Sequence, residues 1–148
     1  MIQVREARLE DLEAIVSLLI ELQEVTTLHG PIEPASVKNS YESMLGSREI
    51  YRIFLAVEGQ EVIGLVSVVL YKTLLHPGGT GLINELVVTE AARGRGIGRR
   101  LVQSVLVVAG ELGMDEVEVG TEIGNLSARR FYAAAGFDQE YLLLGMEL

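Results

Sequence analysis

Hydrophobic positions along the 148-residue chain change period several times, and each change marks an element. Residues 2–7 alternate and predict a short strand. Over 10–24, Leu12, Ile15, Val16, Leu19 and Leu22 recur at helical spacing. Glu10, Asp11 and Glu13 fall in that helix's first turn, where its dipole favours acids, and Arg8 before it is a poor N-cap. Residues 25–34 read as a loop and 35–45 as a short helix that Gly46 ends. Residues 51–57 and 62–71 are β-rich runs joined by Glu58-Gly59-Gln60-Glu61, a hairpin signal. His76-Pro77-Gly78-Gly79 is a turn, and 82–88 is another strand. Residues 98–112 are helical up to Gly113, 116–119 form a short strand, and 125–135 are helical with Gly136 at C′. Residues 137–148 are a final extended stretch. A hairpin-built antiparallel half followed by a βαβ unit predicts an α/β (α+β) fold, a mixed sheet with helices on both faces.

The length fits one domain over 1–148. With 49% apolar and 22% charged residues the chain can bury a sizeable core, which excludes disorder. Its net charge of −9 argues against nucleic acid and anionic membrane as partners, and aromatics at 5% without Trp argue against a base-stacking platform. No Cys is present, which removes a disulfide framework, a thiolate zinc site and a Cys nucleophile. Two His far apart do not predict a metal site. The first residues do not read as a signal peptide, and stretches such as 65–70 and 105–109 are far shorter than a membrane span, so a cytoplasmic location is expected.

The chemistry concentrates at residues 85–100. A strand runs into a turn with glycines at 94, 96 and 98, and a helix opens. Glycines let backbone N–H groups converge, and the helix start adds its positive end, which together make a phosphate cradle. A Walker loop would need Gly-Lys-Ser/Thr, but Arg99 and Arg100 follow Gly98. A dinucleotide fingerprint would need a third glycine where Arg99 stands. Arg93, Arg95, Arg99, Arg100, Arg129 and Arg130 are six of the twelve basic residues, a concentration that predicts positive potential near the turn. The plainer reading is a strand-to-helix turn with a solvated basic face.

Arg93, Gly96 and Gly98 match the Arg/Gln-x-x-Gly-x-Gly/Ala motif of the GNAT superfamily of acyl-CoA-dependent N-acyltransferases, which this chain resembles. Asn125, Ala128, Phe131, Tyr132, Gly136 and Phe137 resemble a second block of the family, downstream in the same order. The resemblance covers nearly the whole chain. It implies a mixed, mostly antiparallel sheet of six to seven strands, with a splayed parallel pair forming the cleft for acetyl-CoA. It implies that Leu86 and Val88 pair with the pantetheine arm. The amides of Arg93, Gly94, Arg95, Gly96, Ile97 and Gly98 would hold the pyrophosphate, with Arg99 beside them. Asn125 would lie beside the pantetheine and Tyr132 would point at the sulfur. A homodimer is among the assemblies expected.

Direct acetyl transfer to an amine needs no metal. A backbone N–H near Leu86 or Val87 would serve the oxyanion, and the Tyr132 hydroxyl would protonate the leaving thiolate. The bland alternative for Tyr132 is an aromatic at the edge of the core. Several family members carry an acidic pair in this strand with the base first; here that position is Asn84, and only Glu85 is acidic. Glu85 therefore has three readings: base through water, binder of a cationic substrate, or structural hydrogen-bonder. His29 and His76 are minor candidates in loops. The acceptor would be recognised by residues 25–34, the second helix and 73–80. The leading expectation is an N-acetyltransferase acting on a small primary amine. The alternatives are a protein N-terminal acetyltransferase and a catalytically silent acyl-CoA sensor.

Overall fold

Residues 1–26 and 30–148 are described by the computed structural model; His29 lies outside them, as does the middle of the expected 25–34 loop. The strands are β1 (Ile2–Glu6), β2 (Tyr51–Glu58), β3 (Glu61–Tyr71), β4 (Thr80–Val88) and β5 (Glu116–Val119). They form one sheet in the order β1-β2-β3-β4-β5, antiparallel except for the parallel β4–β5 pair. The helices are α1 (Leu12–Glu24), α2 (Pro34–Leu45), α3 (Ile97–Glu111) and α4 (Leu126–Ala134).

Both sheet faces are covered. Ile15 and Leu18 of α1 and Tyr41 of α2 pack on Ile53, Leu55, Leu65 and Val87. On the opposite face Ile97, Leu101, Val102 and Val105 of α3 pack on Phe54, Val66, Val68 and Ile83, and Phe131 of α4 joins them. This double coverage explains the long apolar runs of β2 and β3, where alternation is lost because both faces are buried.

Helix α1 starts at Leu12, two residues later than the pattern predicts, because residues 9–11 form a 3-10 turn. Asp11 is the cause. Its buried carboxylate accepts the Arg8 N–H at 2.7 Å and Nη1 and Nη2 of Arg5 at 2.8 Å each. Pro34 opens α2 at the position where a missing N–H costs nothing.

The sheet has five strands among the described residues, not six to seven. Residues 137–148, expected as a final extended stretch of the sheet, carry neither helix nor strand. Strand propensity at Tyr141, Leu142, Leu143 and Leu144 cannot make a ladder without a neighbouring backbone, and these side chains are 67–83% exposed.

Candidate active site

Strand β5 pairs with β4 only from Thr80↔Glu116 to Ile83↔Val119. Beyond Ile83, β4 continues five residues to Val88 with β3 on one side and, among the described residues, no strand on the other. The two parallel strands therefore part at Asn84, and the outer backbone edge of 84–88 is left for an extended ligand to pair with. A bulge sits at the parting point: Ser67 faces Glu85 and the next residue, Val68, faces Ile83, so Asn84 has no partner in β3. The extra residue reverses the alternation. Ile83 and Leu86 both belong to the α3 side, while Glu85 shares the α1–α2 side with Val87.

The glycine turn follows β4. Gly94 and Gly96 have φ of +76° and +77°, and an added Cβ at either would meet nothing within 4 Å. Both conformations disfavour other residues, and the room above them is open. No side chain caps α3, whose ladder begins with the Arg100 N–H donating to Gly96 at 3.2 Å. The amides of Ile97, Gly98 and Arg99 precede that ladder and form an anion-binding helix start. The turn is anchored from α1: the Glu21 carboxylate accepts Thr89 Oγ1 at 2.9 Å and the Glu90 N–H at 3.1 Å.

Helix α4 delivers the aromatic group. Asn125 Oδ1 accepts the Ala128 N–H at 3.1 Å, a side-chain N-cap. At the other end Gly136 has φ +106°, its N–H donates to Ala133, and the Phe137 N–H donates to Tyr132. That is a Schellman ending, and it carries the apolar contact that accompanies such endings, Phe137 against Tyr132. Tyr132 is held edge-on between Phe131 and Phe137, with ring centroids 5.1 and 5.6 Å away. Burial pushes its hydroxyl up to about 12, so it keeps its proton through the neutral range.

A model of the acetyltransferase (GNAT) family matches residues 15–137, most of the chain. The chain belongs to the GNAT acetyltransferase family. Enzymes of this family take acetyl-CoA as acyl donor, and this GNAT protein is accordingly an acyltransferase. It is 29% identical to an aminoalkylphosphonate N-acetyltransferase of Salmonella typhimurium over 94% of this chain and 86% of that one. It is 35% identical to N-alpha-acetyltransferase 30 of Schizosaccharomyces pombe over 57% of this chain and 55% of that one. Its fold is similar to glucosamine-6-phosphate N-acetyltransferase of Arabidopsis thaliana, with a TM-score of 0.83, 18% identity and coverage of 99% and 98% of the two chains.

The arginines of this acetyltransferase divide their work. Arg93 Nε donates to the Val88 carbonyl at 3.0 Å and closes the turn. Arg95 makes a two-pronged pair with Glu58 at 2.7 and 3.0 Å, and its hydrogen bonds hold the Glu58 carboxyl below its ordinary value. Arg99 and Arg100 line a cavity of about 1000 Å³ beside Ile2 and Val4 of β1. Arg129 pairs with Glu140 at 2.7 Å. Arg95 and Arg129 thus answer acids of their own chain.

Val117 and Val119 pack on the α3 side, so Glu116 and Glu118 face the α1–α2 side together with Glu85. Tyr71 donates to Glu118 Oε2 at 3.1 Å, and His76 stands 3.9 Å from Glu116. Desolvation, with help from Glu118, raises the Glu116 carboxyl. Among the described residues no group of three His, Asp or Glu is placed to hold a metal ion, and no helix is long and apolar enough to cross a membrane. The bulge at Asn84, the Glu21 anchor and the buried Ser67 beside Glu85 escape the sequence reading. Ser67 alone left a trace, as the single polar residue between Val62 and Leu70.

Proposed function

We propose that the protein moves the acetyl group of acetyl-CoA directly onto a primary amine of a small molecule. The observation that carries this reading is the parting of β4 and β5 at the Asn84 bulge, directly before an uncapped glycine turn. On the free edge beside Val87, which is turned to β3, the outward backbone groups of Leu86 and Val88 suit the pantetheine amides. The amide donors of Gly94, Arg95, Gly96, Ile97, Gly98 and Arg99 suit the pyrophosphate, and Asn125 at the cap of α4 and Tyr132 within it are the side chains assigned to the pantetheine and the sulfur. A neutral amine enters from the α1–α2 side and attacks the thioester carbon. The C–N bond forms, a backbone N–H near Leu86 or Val87 steadies the oxyanion, and the C–S bond breaks with its electron pair on sulfur. Tyr132 gives its proton to that sulfur, and the surplus proton of the amine passes to Glu85, directly or through water.

The similarity along 94% of the chain to an enzyme named for aminoalkylphosphonates supports a small amine. The similarity to N-alpha-acetyltransferase 30 favours a second reading, a peptide α-amine as acceptor. Tyr132, half-buried with its hydroxyl kept protonated, speaks against a silent acyl-CoA sensor. One domain over 1–148 in the cytoplasm belongs to the same proposal, as does a homodimer, for which the exposed apolar side chains of 141–148 are the support. The test is thiol release from acetyl-CoA with an aminoalkylphosphonate, a polyamine, an aminoglycoside and short peptides with free α-amines. Turnover with a small amine is expected. Turnover with peptides alone selects the second reading, and binding of acetyl-CoA without turnover of any amine selects the sensor.

A further inference from the structure

Ser67 lies in the middle of β3 at 3% exposure, flanked in sequence by Val66 and Val68. A hydroxyl buried there costs free energy unless it is hydrogen-bonded, and valine would suit the strand better. Its bonds go to one residue. The Ser67 hydroxyl donates to Glu85 Oε2, and Ser67 Oγ accepts the backbone N–H of Glu85 at 3.3 Å. The second bond has a local origin. A bulge disrupts the ladder where Glu85 follows the unpaired Asn84, and the hydroxyl adds a side-chain bond to the Ser67–Glu85 pairing there. The first bond satisfies the buried hydroxyl as a donor, and it is the one that reaches the carboxylate of Glu85, half-buried at the parting of β4 and β5.

We propose that Ser67 is a positioning residue for Glu85. One hydroxyl pins both the backbone and the carboxylate, so the bulge and the acidic group are set as a unit. The carboxylate is thereby held on the α1–α2 side, where the amine arrives. A carboxylate that has to meet an incoming amine gains from losing its rotamer freedom beforehand. This inference rests on the reading of Glu85 as the proton acceptor for the amine.

The test compares Ser67→Ala, Ser67→Thr, Glu85→Gln and the Ser67→Ala/Glu85→Gln pair, with acetyl-CoA and whichever amine of the panel above the parent enzyme turns over fastest. Ser67→Val, which suits the strand and carries no hydrogen-bonding group, serves should the alanine variant fold poorly. Expected is a fall in kcat of roughly 10-fold or more for Ser67→Ala, as when supports of an active group are removed, with the KM for acetyl-CoA unchanged. Ser67→Thr, which keeps the hydroxyl, should stay near the parent. In the Glu85→Gln background the alanine change should add nothing, which a purely structural role would not produce. A folded Ser67→Ala or Ser67→Val with parent kcat overturns the proposal, as does a fall that is the same with and without Glu85. If Glu85→Gln alone leaves kcat intact, the role of Glu85 as base fails, and the inference fails with it for that separate and visible reason.

Discussion

Tyr132 and Phe137 stand edge to face, ring centroids 5.6 Å apart, and one carbonyl ties them: that of Tyr132 accepts the Phe137 N–H at 3.0 Å. The helix ending and the aromatic contact are therefore one feature, made possible by the positive φ of Gly136. The position of the Tyr132 hydroxyl depends on how α4 stops as much as on how it starts at Asn125.

Tyr132→Phe should keep this packing, since only the hydroxyl is lost. Stability should change by at most about 1.5 kcal/mol, and acetyl-CoA affinity should hardly move. Turnover should fall by roughly 10²–10⁴-fold, mainly in kcat. Steady-state kinetics beside a thermal melt read all three quantities. Parent turnover with chemistry limiting would return Tyr132 to the role of a packed aromatic.

Gly96→Val should weaken acetyl-CoA binding. The φ of +77° strains a β-branched residue, and its side chain would rise into the open space over the turn. Acetyl-CoA at millimolar concentration should raise the melting temperature of the parent and raise that of the variant much less. Equal shifts from the two apo baselines would mean that the pyrophosphate does not sit on this turn.

Asp11→Asn should destabilise the fold by about 2 kcal/mol at neutral pH, since charge-assisted bonds to Arg5 and the Arg8 N–H are weakened. The Arg5 hydrogen bond first, and the Arg8 N–H in support, hold the Asp11 carboxyl below its ordinary value against the opposing effect of burial. A carboxyl depressed in the fold stabilises above its unfolded value of about 3.9, and that stabilisation drains away as pH falls through the folded value. Urea unfolding of parent and variant should therefore differ at pH 7 and converge as the pH drops below about 4. A constant difference down to pH 2 would contradict this.

Removing residues 138–148 should convert a dimer into a monomer that still melts cooperatively. Leu142, Leu143, Leu144 and Met146 are 74–86% exposed, more apolar surface than one short segment ordinarily leaves in water. Light scattering on the full and shortened chains settles the point. A monomeric full-length protein would remove the dimer from the proposal.

The sequence by itself determined what local physics controls. Helical and alternating periods located four helices and five strands to within a few residues. Gly96 and Gly136 marked left-handed backbone because only glycine occupies it without strain. The motif residues Asn125, Tyr132, Gly136 and Phe137 were legible as a set, and their spacing turns out to be that of a helix capped at both ends. Only the tertiary structure decided what depends on which strand lies beside which. Ser67 and Glu85 are eighteen residues apart, and nothing local announces that register or the bulge that turns Glu85 toward Ser67. Asp11 read as a dipole-favoured acid until Arg5 came beside it. The Arg95 charge, counted toward an anion, is answered by Glu58, 37 positions earlier in the chain and at the end of β2. The last twelve residues show the same division from the other side: strand propensity is a local property, but becoming a strand requires a neighbouring backbone, and that is supplied by the fold or by a second chain.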